Sequence, residues 1–179
     1  MTINAGSSYD TSVPPINDDT IDHHCFGCGN QNPMGLRLRF RPLSDESVWA
    51  TFTPTRDHEG YMGMTHGGII STVLDEAMSW AVTHAGDLGV TARMSVTFRK
   101  PIRLGQQIRV EATVVGRKAR AIDTHAVVYD AATEQPLAEA DGRFMRVTAE
   151  QAAAWRSAYG DQIEESAFGA AARRNAGLA

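Results

Sequence analysis

Apolar and polar residues change period three times along the chain, and each change predicts an element. Leu36, Leu38 and Phe40 alternate with Arg37, Arg39 and Arg41, which predicts a half-buried strand. Val48 to Phe52 predicts its neighbour, with Ser44, Asp45 and Glu46 at the turn. After a loop from Pro54 to Thr65, Ile70, Val73, Leu74, Ala77, Met78 and Ala81 recur at helical spacing. They predict one long helix from Gly67 to about His84, ended by Gly86 and Gly89. Alternation then resumes at Met94, Val96 and Phe98, before Pro101, and continues through Ile108–Val115, Ile122–Tyr129 and Leu137–Val147. Turns are expected at Leu104–Gln106, Gly116–Lys118 and Asp130–Pro136, so antiparallel hairpins are the natural pairing. Two strands, a central helix and four strands make an α+β plan, in which a curved antiparallel sheet covers its apolar face with one helix.

The ends read differently. Residues 1–22 are polar, carry Pro14 and Pro15, and read as a flexible or loosely docked arm. Residues 23–148 hold the folded domain. In residues 149–179, AEQAAAWRSAYG predicts a terminal helix, followed by an alanine-rich mobile tail.

Composition narrows the function classes. The 179 residues carry a formal net charge of -4, and 42% are hydrophobic, enough for one cored domain. No basic cluster interleaved with aromatics points to nucleic acid. No apolar run reaches the length of a membrane span, and the first twenty residues lack the pattern of a signal peptide. A cytoplasmic enzyme or binding domain is the expectation.

Candidate chemistry concentrates in HEGYMGMTHGGIISTVLDEAMSWA. Gly67 and Gly68 follow His66 at the start of the helix, where backbone N–H groups lack partners within the helix and the dipole favours negative charge. Glycine lets another molecule approach that backbone closely. A carbonyl becoming an oxyanion is a suitable guest. Asp75 stands nine positions after His66, among Val73, Leu74, Ala77 and Met78, where a carboxylate needs a reason. The competing reading is a plain helix start followed by an acidic pair, Asp75-Glu76, on a solvated face.

Three stretches in this order, CFGCGNQNPMGLRLRF, HGGIISTVLDEAMSWA and TARMSVTFRKPIRLGQQIRVEATV, resemble the hotdog-fold acyl-CoA thioesterase superfamily in its phenylacetate-degradation (PaaI-like) branch. With the strands that follow, the resemblance covers about residues 23 to 147. It implies a hotdog fold, a homodimer or a dimer of dimers, and hydrolysis of acyl-CoA, with coenzyme A as part of the substrate and no separate cofactor. It also implies that Asp75 is the catalytic acid, that the Gly67 N–H polarises the carbonyl with His66 beside it, and that Ser79, one helical turn after the acid, helps hold water. Several branches carry an asparagine where this chain has Gly60; His58 and Glu59 are the two nearby polar residues open as substitutes for it. Eight residues separate Gly67 from Asp75, about 12 Å along a helix. If both act on one thioester carbon, they must come from different subunits. Asp75 could attack the carbonyl or activate water. A non-catalytic acyl-binding hotdog domain, a dehydratase and an acyltransferase are the alternatives.

Other candidates carry less. Arg99 and Lys100, with Gly68, could contact coenzyme A phosphates; Arg117 and Lys118 could do so from a turn. His84 and His125 read as structural, and Met78 and Trp80 as core or acyl-pocket lining. His23, His24, Cys25 and Cys28 suggest a metal cluster, but a structural zinc site usually draws on a second ligand pair and none exists. The expectation is therefore no metal, with two small buried thiols in a loop.

Overall fold

The structure, a computed structural model, describes residues 9–17 and 21–178. The remaining positions of the N-terminal arm and the last residue lie outside the described residues. Two short strands, β1 (Arg41–Ser44) and β2 (Ser47–Phe52), lead through a loop with one 3-10 turn (Arg56–His58) into helix α1 (Gly67–His84). Four long strands follow: β3 (Gly89–Phe98), β4 (Ile108–Lys118), β5 (Ala121–Asp130) and β6 (Pro136–Arg146). They form one six-stranded antiparallel sheet in the order β1-β2-β4-β5-β6-β3. The sheet curves around α1, which packs against strands β2 to β6. Val73, Leu74, Ala77, Met78 and Ala81 are wholly buried against Val48, Val110, Ile122, Val128 and Phe144. This is the hotdog fold, and the predicted helix matches the observed one end to end. Among the described residues, no helix is long and apolar enough to cross a membrane.

The Leu36–Phe40 segment departs from expectation. Its alternation is real, since Leu36, Leu38 and Phe40 are buried, but it joins no strand ladder. Arg37 takes a left-handed φ of 53°, which breaks the extended run. The N–H groups of Leu36 and Leu38 donate to the carbonyls of Phe26 and Gly27 instead. The first strand begins only at Arg41. The turn expected at Gly116–Lys118 also falls later: β4 runs through a bulge near Gly116 to Lys118, and the chain reverses at Ala119 and Arg120.

At the ends, residues 9–17 lie against the domain. The Ile16 N–H donates to the Phe40 carbonyl (2.8 Å), and the buried Asn17 side chain bonds both the Leu38 carbonyl and the Phe40 N–H. The predicted terminal helix is α2 (Ala149–Tyr159), started by a capping box between Thr148 and Gln151. The alanine-rich segment expected to be a bare tail instead forms a second helix, α3 (Ala167–Asn175). Ala171 and Ala172 bury against Leu88, Val147 and Ala152. Glu164 ties the two helices through Arg156 and Arg173.

Candidate functional site

The His-Gly-Gly start of α1 has the geometry of an anion-seeking helix terminus. His66 is the N-cap, and its Nδ1 accepts the Gly68 N–H at 2.9 Å. That bond leaves Gly67 as the helix's first donor, without a hydrogen-bond partner among the described residues. Open clefts flank it. One, of about 460 Å³, is lined by Glu59, Gly60, Tyr61, His66, Gly67 and Pro101 among others. The other, of about 270 Å³, is lined by Gly67, Ile70, Phe98, Arg99, Lys100 and Pro101 among others. A Cβ added at Gly67 would touch the Phe98 ring at 3.4 Å, so the glycine keeps the backbone open between the two. Asp75 lines neither cleft.

Asp75 is half-buried on α1. Its Oδ1 accepts a hydrogen bond from Thr91 Oγ1 at 2.7 Å. Sequence reasoning missed Thr91, and the cause is a β-bulge. In β3, Phe98, Val96 and Met94 pair with Ala138, Ala140 and Gly142 on the helix-facing side of the sheet. Strict alternation would continue that side through Ala92. The register instead shifts between Thr91 and Arg93, and Thr91 pairs with the buried Phe144. The extra residue thus turns Thr91 toward α1. Ser79, on the same helix, makes no side-chain hydrogen bond to Asp75 among the described residues.

The other named residues have specific places. Gly60 backs onto His66: a Cβ there would stand 2.9 Å from the His66 Cα. His58 and Glu59 are engaged locally, His58 Nδ1 accepting the Thr55 N–H and Glu59 Oε1 the Gly63 N–H. Arg99 is exposed and ion-paired with Glu139, and Lys100 is exposed beside it. Arg117 is engaged with Glu46 and Asp87. His84 Nε2 contacts the Ser44 carbonyl, and His125 contacts Asp141. Met78 is core, while Trp80 stacks near Phe40.

A second cluster lies on the next residue of α1. Glu76 meets Cys25 and Cys28 from the preceding loop, and Trp80 Nε1 donates to its Oε1 at 3.1 Å. Burial, with the neighbouring Cys25 charge, raises the Glu76 carboxyl to about 7. Hydrogen bonding from the Cys28 thiol, helped by the Cys28 and Gly27 N–H groups, lowers Cys25 to about 5. Cys28 moves upward, because its retained S–H donates a hydrogen bond to the Cys25 sulfur and it is itself buried.

Comparison with known proteins agrees with this architecture. Residues 62–136 match the model of the thioesterase superfamily. Human acyl-coenzyme A thioesterase 13 is 33% identical over 61 residues, 33% of this chain and 44% of that one. The chain thus spans less than half the length of the curated relatives it matches. A crystallised thioesterase superfamily protein, RHA08564, is 27% identical with a TM-score of 0.65, over 68% of this chain and 60% of that one. A hypothetical thioesterase from Streptococcus pneumoniae, solved with coenzyme A, is 18% identical with a TM-score of 0.58, over 62% of this chain and 88% of that one. It has also been solved with an aspartate replaced by alanine, and with a threonine sixteen positions later replaced by alanine. Residues 62–136, from the loop before α1 to the start of β6, thus match the thioesterase superfamily, and the chain has the hotdog fold of the thioesterases it resembles.

Proposed function

We propose that the protein hydrolyses an acyl-CoA thioester to the free acid and coenzyme A, as a member of the PaaI-like branch, in a cytoplasmic homo-oligomer. The observation that carries this reading is the Asp75 carboxylate, held by the Thr91 hydroxyl and half-exposed on the helix around which the sheet packs. A binding module has no need of an oriented carboxylate there; a hydrolase does. Asp75 attacks the thioester carbonyl or removes a proton from water, and in either role a fixed orientation preserves reach. The sixteen-residue spacing of Asp75 and Thr91 matches that of the aspartate and threonine altered in the pneumococcal thioesterase.

The Gly67 N–H polarises the carbonyl, with His66 holding the helix start and Gly68 beside it. Coenzyme A lies along the clefts flanking Gly67, with Lys100 and Arg99 near its phosphates; Arg99 must exchange its Glu139 partner to help. Ser79 assists water on the Asp75 side. No separate cofactor takes part in the hydrolysis.

Asp75 and Gly67 lie about 12 Å apart along one helix, so the site is shared between subunits. Among the described residues the ten-residue β3 is an edge strand paired only with β6, and Val90 and Phe98 on it are exposed. A long, partly apolar free edge suits pairing with a second copy. That pairing would make a dimer, or a dimer of dimers.

A thiol-release assay over a panel of acyl-CoAs tests the function. Wild type is expected to turn over at least one acyl-CoA, and Asp75→Asn to lose at least about a hundredfold in kcat, as for a principal acid–base group. Tight acyl-CoA binding without thiol release would establish the non-catalytic alternative instead. Conversion to another thioester or to an unsaturated acyl-CoA would establish an acyltransferase or a dehydratase.

A further inference from the structure

The loop before β1 and the middle of α1 bring two sulfurs and a carboxylate together. Cys25 opens the turn Cys25-Phe26-Gly27-Cys28-Gly29. The Gly29 N–H donates to the Cys25 carbonyl at 2.9 Å and closes the turn. The turn brings both sulfurs to one side, toward α1. Glu76 arrives from fifty-one residues further along, its Oε2 and Oε1 lying 3.6 and 3.7 Å from the Cys25 sulfur. One donor atom from each of Cys25, Cys28 and Glu76 lies within 4.8 Å of the other two. Tetrahedral zinc, with sulfur at about 2.3 Å and oxygen at about 2.0 Å, spaces such ligands roughly 3.5 Å apart.

Two further features favour a cation. The loop presses on the carboxylate so closely that a Cβ at Gly27 would stand 2.3 Å from Glu76 Oε2; the turn is built to approach this side chain. Yet among the described residues no Lys, Arg or His forms an ion pair with Glu76, and Trp80 is its only nitrogen donor. The part-buried carboxylate is thus met by two sulfurs and one indole N–H, with no positive charge beside it among the described residues, an arrangement that a cation would complete.

We propose that Cys25, Cys28 and Glu76 hold one zinc-class divalent cation, with a fourth coordination position open toward the half-exposed side of Cys25. The ion fastens the loop to α1 one residue from Asp75 and takes no part in thioester chemistry. This revises the expectation of no metal. That expectation rested on the missing second ligand pair, and a single carboxylate from α1 supplies the third ligand.

The test uses the full chain without an affinity tag, purified under reducing conditions and free of chelator. Elemental analysis is expected to find about one zinc per chain. The metal-stripped protein is expected to take up one Co²⁺, with thiolate-to-cobalt charge-transfer absorption. Cys25→Ser is expected to abolish that absorption. Glu76→Gln keeps both thiolates and a similar shape, and is expected to weaken Co²⁺ binding at least tenfold. If wild type with two titratable thiols takes up neither Zn²⁺ nor Co²⁺, the site is refuted. It is equally refuted if binding is indifferent to both substitutions, or if anaerobically handled protein holds a Cys25–Cys28 disulfide in place of metal. None of these readouts depends on thioesterase activity.

Discussion

Thr91 Oγ1 donates to Asp75 Oδ1 at 2.7 Å, joining a strand to a helix at the one point where the strand's alternation is broken. The bond leaves the other carboxylate oxygen free to act while restricting rotation of the group. Removing the hydroxyl at constant shape, Thr91→Val, is expected to lower kcat about tenfold, as for a hydrogen bond to a charged group worth roughly 1.5 kcal/mol. KM should change little, and Thr91→Ser should recover most of the activity. A Thr91→Val enzyme with unaltered kcat would show that the bond is only a packing contact.

The shared-site reading makes a quantitative prediction. Gly67→Pro removes the polarising N–H at a helix position where proline is tolerated, and Asp75→Asn removes the acid. Each homodimer is inactive. In a mixed dimer one site carries both lesions and the other carries neither. Unfolding, mixing and refolding should therefore restore about a quarter of wild-type activity, with random pairing and two-fold symmetry. A site within one chain predicts no recovery, even with mixed dimers confirmed by mass spectrometry.

Gly60 invites a restoration experiment. Gly60→Asn reinstates the polar group found in several branches, but its Cβ would lie 2.9 Å from the His66 Cα. The helix start would have to move. The variant is expected to lose activity and to melt below wild type, with a cost of about 1–3 kcal/mol from overpacking. A gain in kcat at unchanged stability would mean that the loop yields easily.

In the core, Gly142 lies opposite Met94 on β6, and an added Cβ would stand 2.6 Å from Thr124 Oγ1 and 2.8 Å from Met78 Sδ. Gly142→Ala is expected to destabilise the domain by about 1–3 kcal/mol, read as a lower denaturant midpoint. Equal stability would show that Met78 repacks freely.

Much of this molecule was legible before folding was considered. Local periodicity determined α1 and the bodies of the four long strands, because burial on one face repeats every 3.6 or every two residues whatever the neighbours are, though β3 starts at Gly89, ahead of the alternation at Met94. The His-Gly-Gly start and Asp75 stood out for the same local reason: a helix terminus and a carboxylate in an apolar stretch are visible within a few residues. Position in space was another matter. Leu36–Phe40 had the pattern of a strand, yet one left-handed residue, Arg37, turned its N–H groups to a loop. Alternation carries no information about where a hydrogen-bond partner lies. Thr91 reached Asp75 only because the β3–β6 ladder gained an extra residue. Glu76 met Cys25 and Cys28 only because the preceding loop folds back onto α1. Bulge register and loop closure are settled by contacts between segments far apart in the chain, so the tertiary structure alone decided which side chains share a site.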